Sequence, residues 1–177
     1  MKFFLWAFSL IILVIFILYG CGGGIVPATD SDSLQPEGFS GAVIFTGSWP
    51  DSVKRTHIVV FRDPLDSVAD FNIFNLSFVS QEIPFGAVYY AYTSLDTGFV
   101  PVGGLIPVGE YSYVAVAQSF SEEVSFSRKD WVVVGVYYSP DDSSRPGKLI
   151  IPKGQVVQDI NIKCDFDNPP PQPPGGN

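Results

Sequence analysis

Two different hydrophobic patterns divide the chain. Residues 3–19 form an apolar run that only Ser9 interrupts, and the single basic residue Lys2 precedes it. From residue 38 onwards, the apolar residues come in short runs rich in Val, Ile, Tyr and Phe, separated by clusters of Gly, Pro and Asp. Short runs of this kind indicate β-strands. We predict strands over residues 39–46, 57–61, 74–79, 87–93, 110–118, 131–138, 148–151 and 156–166.

Strands of this length and spacing predict an all-β domain over residues 38–166. The expected architecture is an antiparallel β-sandwich of about seven to eight strands, prealbumin-like or immunoglobulin-like. In the last predicted strand Ile160, Ile162 and Cys164 alternate with polar residues. Because successive side chains of a strand point to opposite faces, Cys164 is expected on the core face. We therefore interpret it as a small buried hydrophobic residue and not as a reactive thiol.

The segments on either side of this domain have compositions that do not form a core. In residues 21–37, Cys21 is followed by a segment in which Gly, Pro, Ser and Asp dominate, which is typical of a flexible linker. Residues 167–177 form a Pro/Gly-rich tail, for which we predict disorder. The alternative for this tail is a Pro-rich ligand that docks in an aromatic groove.

The end of the apolar run carries a processing motif. Leu18-Tyr19-Gly20-Cys21 resembles the lipobox of bacterial lipoproteins, in which an apolar residue lies three positions before the Cys and a small residue directly before it. The resemblance implies that residues 1–20 are a removable signal peptide and that Cys21 carries the lipid. Tyr19 departs from the small residue usual at its position. The alternative is an uncleaved signal-anchor helix, since residues 3–19 lie at the short end of the roughly 17–25 residues that a membrane span needs.

Both interpretations place the domain outside the inner membrane. In the lipoprotein family, Asp directly after the Cys retains the protein at the inner membrane, so Gly22 implies the outer membrane. Two or more acyl chains hold a protein firmly, because each buried CH₂ contributes about 0.8 kcal/mol. We therefore expect a lipid-anchored protein of the cell envelope, on the periplasmic or the surface face.

Composition excludes several functional classes. The 177 residues include 10 Lys+Arg and 18 Asp+Glu, a net charge of -8 that disfavours nucleic acid as a partner. A single His, His57, and two Cys are too few for a multi-histidine or four-cysteine metal site. We find no nucleotide-binding or nucleophile motif, so we expect no cofactor and no enzymatic activity. His57 is expected at a strand edge or surface. Five carboxylates are expected to be solvated turn residues and not Ca²⁺ ligands: Asp63, Asp66, Asp70, Asp141 and Asp142.

A stretch in the middle of the domain carries a family resemblance. Leu105-Ile106-Pro107-Val108-Gly109-Glu110-Tyr111 is similar to the L-x-P-x-G-x-Y segment of transthyretin-like domains, which include the carboxypeptidase-regulatory-like modules. The stretches at 41–45 and 152–162 are similar to the opening and closing strands of those modules. The resemblance implies a structural or binding accessory domain and not an enzyme.

Some strands are apolar on both faces, which a half-exposed sandwich strand should not be. In the predicted strand 87–93, Tyr90 and Tyr92 point to the face opposite Tyr89. In the predicted strand 131–138, which ends at Tyr138, the residues that point to either face are apolar. One explanation is that a loop or the 71–85 insert covers the outer face. The other is an exposed patch that binds a protein partner, a glycan or a hydrophobic ligand, with Tyr90, Tyr92 and Tyr138 as candidate residues. The function is then either a structural or protein-interaction module or a ligand-binding lipoprotein.

Overall fold

Short strands make up nearly all of the regular structure in the computed structural model, which describes residues 36–176. The helical residues in that range form two single 3-10 turns, Val68–Asp70 and Arg128–Asp130. The all-β prediction is confirmed. The strands are β1 Gly38–Thr46, β2 Arg55–Phe61, β3 Leu76–Val79, β4 Tyr89–Thr93, β5 Gly109–Tyr111, β6 Tyr113–Ser119, β7 Trp131–Val136, β8 Tyr138–Ser139, β9 Asp142–Pro146, β10 Leu149–Ile151, β11 Val156–Val157 and β12 Ile162–Asp165.

The predicted signal peptide, Cys21 and most of the linker lie outside the described residues. Within 36–176, no helix is long and apolar enough to cross a membrane.

An eight-stranded, mostly antiparallel sheet forms the body of the domain. Its order is β11-β1-β12-β7-β6-β2-β3, and β4 pairs with β1. Two strands from the C-terminal segment are the exceptions to antiparallel pairing. β11 runs parallel to the first half of β1, and β12 runs parallel to its second half. Two further pairs, β5 with β10 and β8 with β9, form small separate sheets.

Two of the predicted strands are interrupted. The segment 110–118 divides at Ser112, whose N–H donates to the carbonyl of Arg62 at 2.9 Å. As a result, β5 pairs with β10 while β6 enters the main sheet. The segment 156–166 breaks at Asp159, whose φ of 64° is left-handed. The prediction also missed β9, because its residues are Asp, Ser, Arg and Pro, which lack the alternation of a half-buried strand.

One face of the main sheet packs over the β5–β10 pair to form the inner core. Strand β6 contributes Val114 and Val116 to it, and the β5–β10 pair contributes Tyr111 and Leu149. The predicted alternation of the last strand is confirmed, since Ile162 and Cys164 lie in this core. Burying apolar area at about 25 cal/mol per Å² makes this layer the main source of stability.

The other face of the main sheet is also apolar and is covered by irregular chain. Val59, Ala115 and Val133 belong to a second cluster on this face. Leu65, Phe71 and Ile73, from the segment between β2 and β3, pack against that cluster. The expectation that an insert covers the outer face is therefore met in part. This double coverage explains why the strand sequences are apolar in both registers.

The Pro-rich tail lies against the free edge of β7, although its composition predicts disorder. Oε1 of Gln172 accepts the N–H of Val133 at 2.9 Å, and Nε2 of Gln172 donates to the carbonyl of Val133 at 2.7 Å. Arg128 donates from Nη2 to the carbonyl of Pro173 at 3.0 Å. The β7 edge is open at Val133 because β12 pairs only with Val136 and Gly135. An amide side chain thus satisfies backbone groups that a neighbouring strand would otherwise bind.

This contact predicts the effect of Gln172→Ala. Both backbone groups of Val133 lose their partner on that side, so we expect the free energy of unfolding to fall by about 1–2 kcal/mol. Urea denaturation of the full chain measures it. Gln81→Ala, at an exposed position, is the matched control and should have almost no effect. Equal stability of the two variants would contradict the proposed role of the tail.

Candidate functional site

A groove of about 450 Å³ opens on the outer face of the main sheet, beside the part that the 62–75 segment covers. Apolar side chains form most of its lining. We call it the outer groove and define it by its floor and its walls: Val59, Ala117, Phe71, Phe99, Phe126 and Trp131.

Strand alternation and a small residue create the floor of the groove. On β2, the side chains of Arg55, His57 and Val59 share the outer face. Ala117 lies opposite His57 in the β2–β6 register. Because the alanine side chain ends at Cβ, it leaves a depression between the larger residues on either side.

Phe99 forms one wall and is held in place by backbone bonds. Its N–H and its carbonyl each bond to Val79, both at 2.8 Å. Gly98 permits this approach, since a Cβ at that position would lie 2.7 Å from the ring of Phe78. Phe99 is nevertheless 48% exposed, so its ring remains available on the surface.

The loop between β6 and β7 forms the opposite wall. Arg55 donates from its guanidinium to the carbonyls of Ser121 and Glu122, at 2.7 and 2.8 Å. Trp131 Nε1 donates to the carbonyl of Ser125 at 2.7 Å. These bonds fix the loop that carries Phe126, which is 56% exposed. The Arg128 guanidinium lies 5.6 Å from the ring centroid of Phe71, and desolvation lowers the pKa of this arginine.

His57 contributes an imidazole ring to the groove lining. Its Nδ1 lies 3.0 Å from the carbonyl of Ser80. Since a carbonyl only accepts, Nδ1 carries the proton and Nε2 is an acceptor in the neutral ring. Its ring centroid lies 6.2 Å from that of Trp131. The donors of Arg55 and Trp131 and the Nδ1 atom of His57 are thus engaged with backbone, whereas the carboxylate of Glu82 also lines the groove at an exposed position.

The tyrosines that the sequence singled out do not come together in one surface. Tyr92 is buried, with 7% exposure, and its hydroxyl donates to the carbonyl of Ile160. Burial raises the pKa of this phenol far above its ordinary value. Tyr90 is half-buried against the inner core, whereas Tyr138 is half-buried in the outer cluster. Tyr92 is therefore excluded as a ligand-binding residue, and Tyr90 and Tyr138 lie in different clusters.

Two of the five carboxylates considered as Ca²⁺ ligands, Asp70 and Asp142, stabilise turns. Asp70 accepts the N–H groups of Asp66 and Ser67 at 3.1 and 2.7 Å. Asp142 bonds to Ser144 and Arg145, and these bonds hold the pKa of its carboxyl far below its ordinary value. In the part of the chain that the structure describes, no group of three or more His, Cys, Asp or Glu side chains is placed to hold a metal ion.

Sequence reasoning missed most residues of the groove. Phe99 and Phe126 lie in segments without strand periodicity, and Phe71 lies in a loop. The available signal was the apolar character of β7 in both registers, together with the small Ala115 and Ala117 on β6. This signal locates the sheet face but not the loops that wall it.

Comparison with protein-family models finds no match for this chain. Searches of curated proteins and of solved structures find no match either.

Burial of Cys164 predicts a pH effect on stability. Desolvation raises the pKa of its thiol to about 12. Because the folded state favours the neutral thiol, this stabilisation is complete below the ordinary thiol pKa and is lost as the pH rises from about 9 towards 12. Between pH 8 and pH 10, we expect the free energy of unfolding to fall by about 1 kcal/mol less in Cys164→Ala than in the unmodified chain. Urea unfolding at the two pH values measures this, and identical losses would refute it.

Proposed function

We propose that the protein is a lipid-anchored, non-enzymatic binding module of the cell envelope, and that the outer groove binds an uncharged hydrophobic ligand. The observation that carries the proposal is the groove itself. Its volume of about 450 Å³ lies within the range of small-molecule sites. Phe99 and Phe126 leave about half of their side-chain surface exposed there, which a soluble domain seldom retains without use.

The chemistry of the lining favours an apolar ligand over a carbohydrate. A sugar presents many hydroxyl groups and requires free donors and acceptors beside an aromatic platform. Here Arg55 and Trp131 already donate to carbonyls of the wall loop. His57 Nδ1 is bound to Ser80, which leaves Nε2 able to accept one hydrogen bond. An aromatic or alicyclic ring system, or an acyl chain, fits this arrangement if its few donors can meet His57 Nε2 or the exposed Glu82 carboxylate.

We also propose that the domain is a variant of the transthyretin-like fold. In the L-x-P-x-G-x-Y stretch, the Tyr111 hydroxyl donates to the carbonyl of Pro107 at 2.6 Å. The Tyr111 side chain thus stabilises the turn that directly precedes it. Tyr111 is 1% exposed and lies in the inner core. This structural use of the motif supports the resemblance.

The groove can be tested with the uncharged fluorescent probe N-phenyl-1-naphthylamine. We expect one probe to bind per chain, with quenching of Trp131. Ala117→Leu fills the floor and should weaken binding by about tenfold or more, equivalent to at least ~1.4 kcal/mol. Phe126→Ser removes an exposed wall residue without altering the core and should weaken it several-fold.

Matched controls separate the groove from general surface hydrophobicity. Ala91→Leu adds the same volume at an exposed position of β4, and Phe85→Ser removes an exposed ring that packs on Trp49 and is not part of the groove lining. Neither should alter probe binding. Absence of probe binding by the unmodified chain would reject the hydrophobic-ligand function and leave a structural or protein-interaction module as the second candidate.

The anchor is tested separately through Cys21. We expect Cys21→Ser to abolish incorporation of labelled fatty acid and retention in the membrane fraction, because it removes the thiol that carries the diacylglyceryl group. Cys164→Ala is the control and should label normally, since that thiol is buried. Unchanged labelling of Cys21→Ser would refute lipidation at this residue.

A further inference from the structure

Two neighbouring loops at one end of the main sheet expose large apolar side chains. One loop precedes β3 and the other precedes β5. Phe74 and Val102 line a common surface cleft. We call these side chains the apolar loop end, and their exposures are Phe74 95%, Val102 77%, Leu105 48% and Val108 46%.

Local structure holds these side chains out from the domain. The Oδ1 atom of Asn72 accepts the N–H of Phe74 at 2.9 Å and the N–H of Asn75 at 3.1 Å, which fixes the turn that displays the Phe74 ring. In the second loop, Gly103 and Gly104 have φ values of 78° and 77°, and a Cβ on either would meet no atom within 4 Å. The second loop therefore projects into open space.

The direction of the strands places these loops at the end where the chain enters the domain. β12 is parallel to β1, and each step from β12 through β7, β6 and β2 to β3 is antiparallel. β3 therefore runs in the same direction as β1, so both strands begin at the same end. β1 begins at Gly38, directly after the predicted linker, and β3 begins two residues after Phe74. Phe99 pairs antiparallel with Val79 of β3, so the chain that follows Phe99, which includes Val102, runs back towards this same end.

We propose that the apolar loop end inserts into the interfacial layer of a lipid bilayer. The inference rests on the proposed lipid anchor, because a tether attached at Cys21 reaches the domain at this end. If residues 22–37 form the linker that their composition predicts, they would span about 20 Å, which would keep these loops within reach of the surface. An exposed Phe together with Val and Leu supplies the apolar area that interfacial binding requires.

The net charge of the protein indicates which lipid headgroups are suitable. The net charge of -8 disfavours an anionic surface, so burial of apolar side chains provides the attraction. The partner that fits is a zwitterionic bilayer such as phosphatidylethanolamine with phosphatidylcholine.

A single labelled site tests the insertion. Phe74→Cys, in the full lipidated chain, is modified with a polarity-sensitive thiol-reactive fluorophore, while Cys164 stays unmodified because it is buried. The chain is reconstituted into phosphatidylethanolamine–phosphatidylcholine vesicles that contain a lipid-borne quencher. We expect a blue-shifted emission and several-fold stronger quenching than at the control position. The control is Phe85→Cys, which is 60% exposed and precedes β4 at the opposite end of the sheet.

Failure of the lipid anchor and failure of the loop insertion are detected by different measurements. Vesicle flotation reports whether the chain is anchored at all. A water-exposed label at position 74 overturns the insertion, whatever the flotation shows. Equal quenching at positions 74 and 85 also overturns it, since it would indicate a domain with no preferred orientation at the surface.

Discussion

Burial of β6 on both of its faces is the constraint on which the rest of the structure depends. All seven residues of Tyr113–Ser119 are buried, although a sandwich strand normally keeps one face in water. Val114 and Val116 face the second sheet, while Ala115 and Ala117 face away from it. Within residues 36–176, Leu65, Phe71 and Ile73 pack on that outer face from irregular chain and not from a sheet. Loops and the tail must therefore supply the cover.

The cover on the outer face is assembled from separate pieces, and this explains why a groove remains. The segment between β2 and β3 places Phe71 and Leu65 over part of the cluster. The tail closes the edge of β7 through Gln172. Arg128 joins these pieces, because its guanidinium lies over Phe71 and also holds the carbonyl of Pro173. Ala117 lines the groove that remains between these pieces, because its side chain is too short to fill the space.

The sequence located most of the strands, but not the breaks within two of them, strand β9 or the loops that form the surface. Alternation located the strands that bury one face, and it placed Cys164 correctly in the core. Alternation also showed that Tyr90 and Tyr92 share a face, but it could not show which face, because β4 is apolar in both registers. The groove required Phe71, Phe99 and Phe126 to meet from distant loops, and no local pattern encodes such a meeting. The tail was misjudged because a single glutamine amide, and not a hydrophobic run, attaches it.

The parallel pairing of β1 with β12 has a consequence for how the domain forms. The first strand of the domain receives its neighbour from almost the last residues, as in the bond from the Ala42 N–H to Asn161 Oδ1, 119 positions apart. Contacts that close so long a loop form late, because the chain entropy must be lost before they contribute. During synthesis, β1 would therefore keep this edge unpaired until β12 has emerged from the ribosome. The main sheet is completed only when its last strand along the chain has been made.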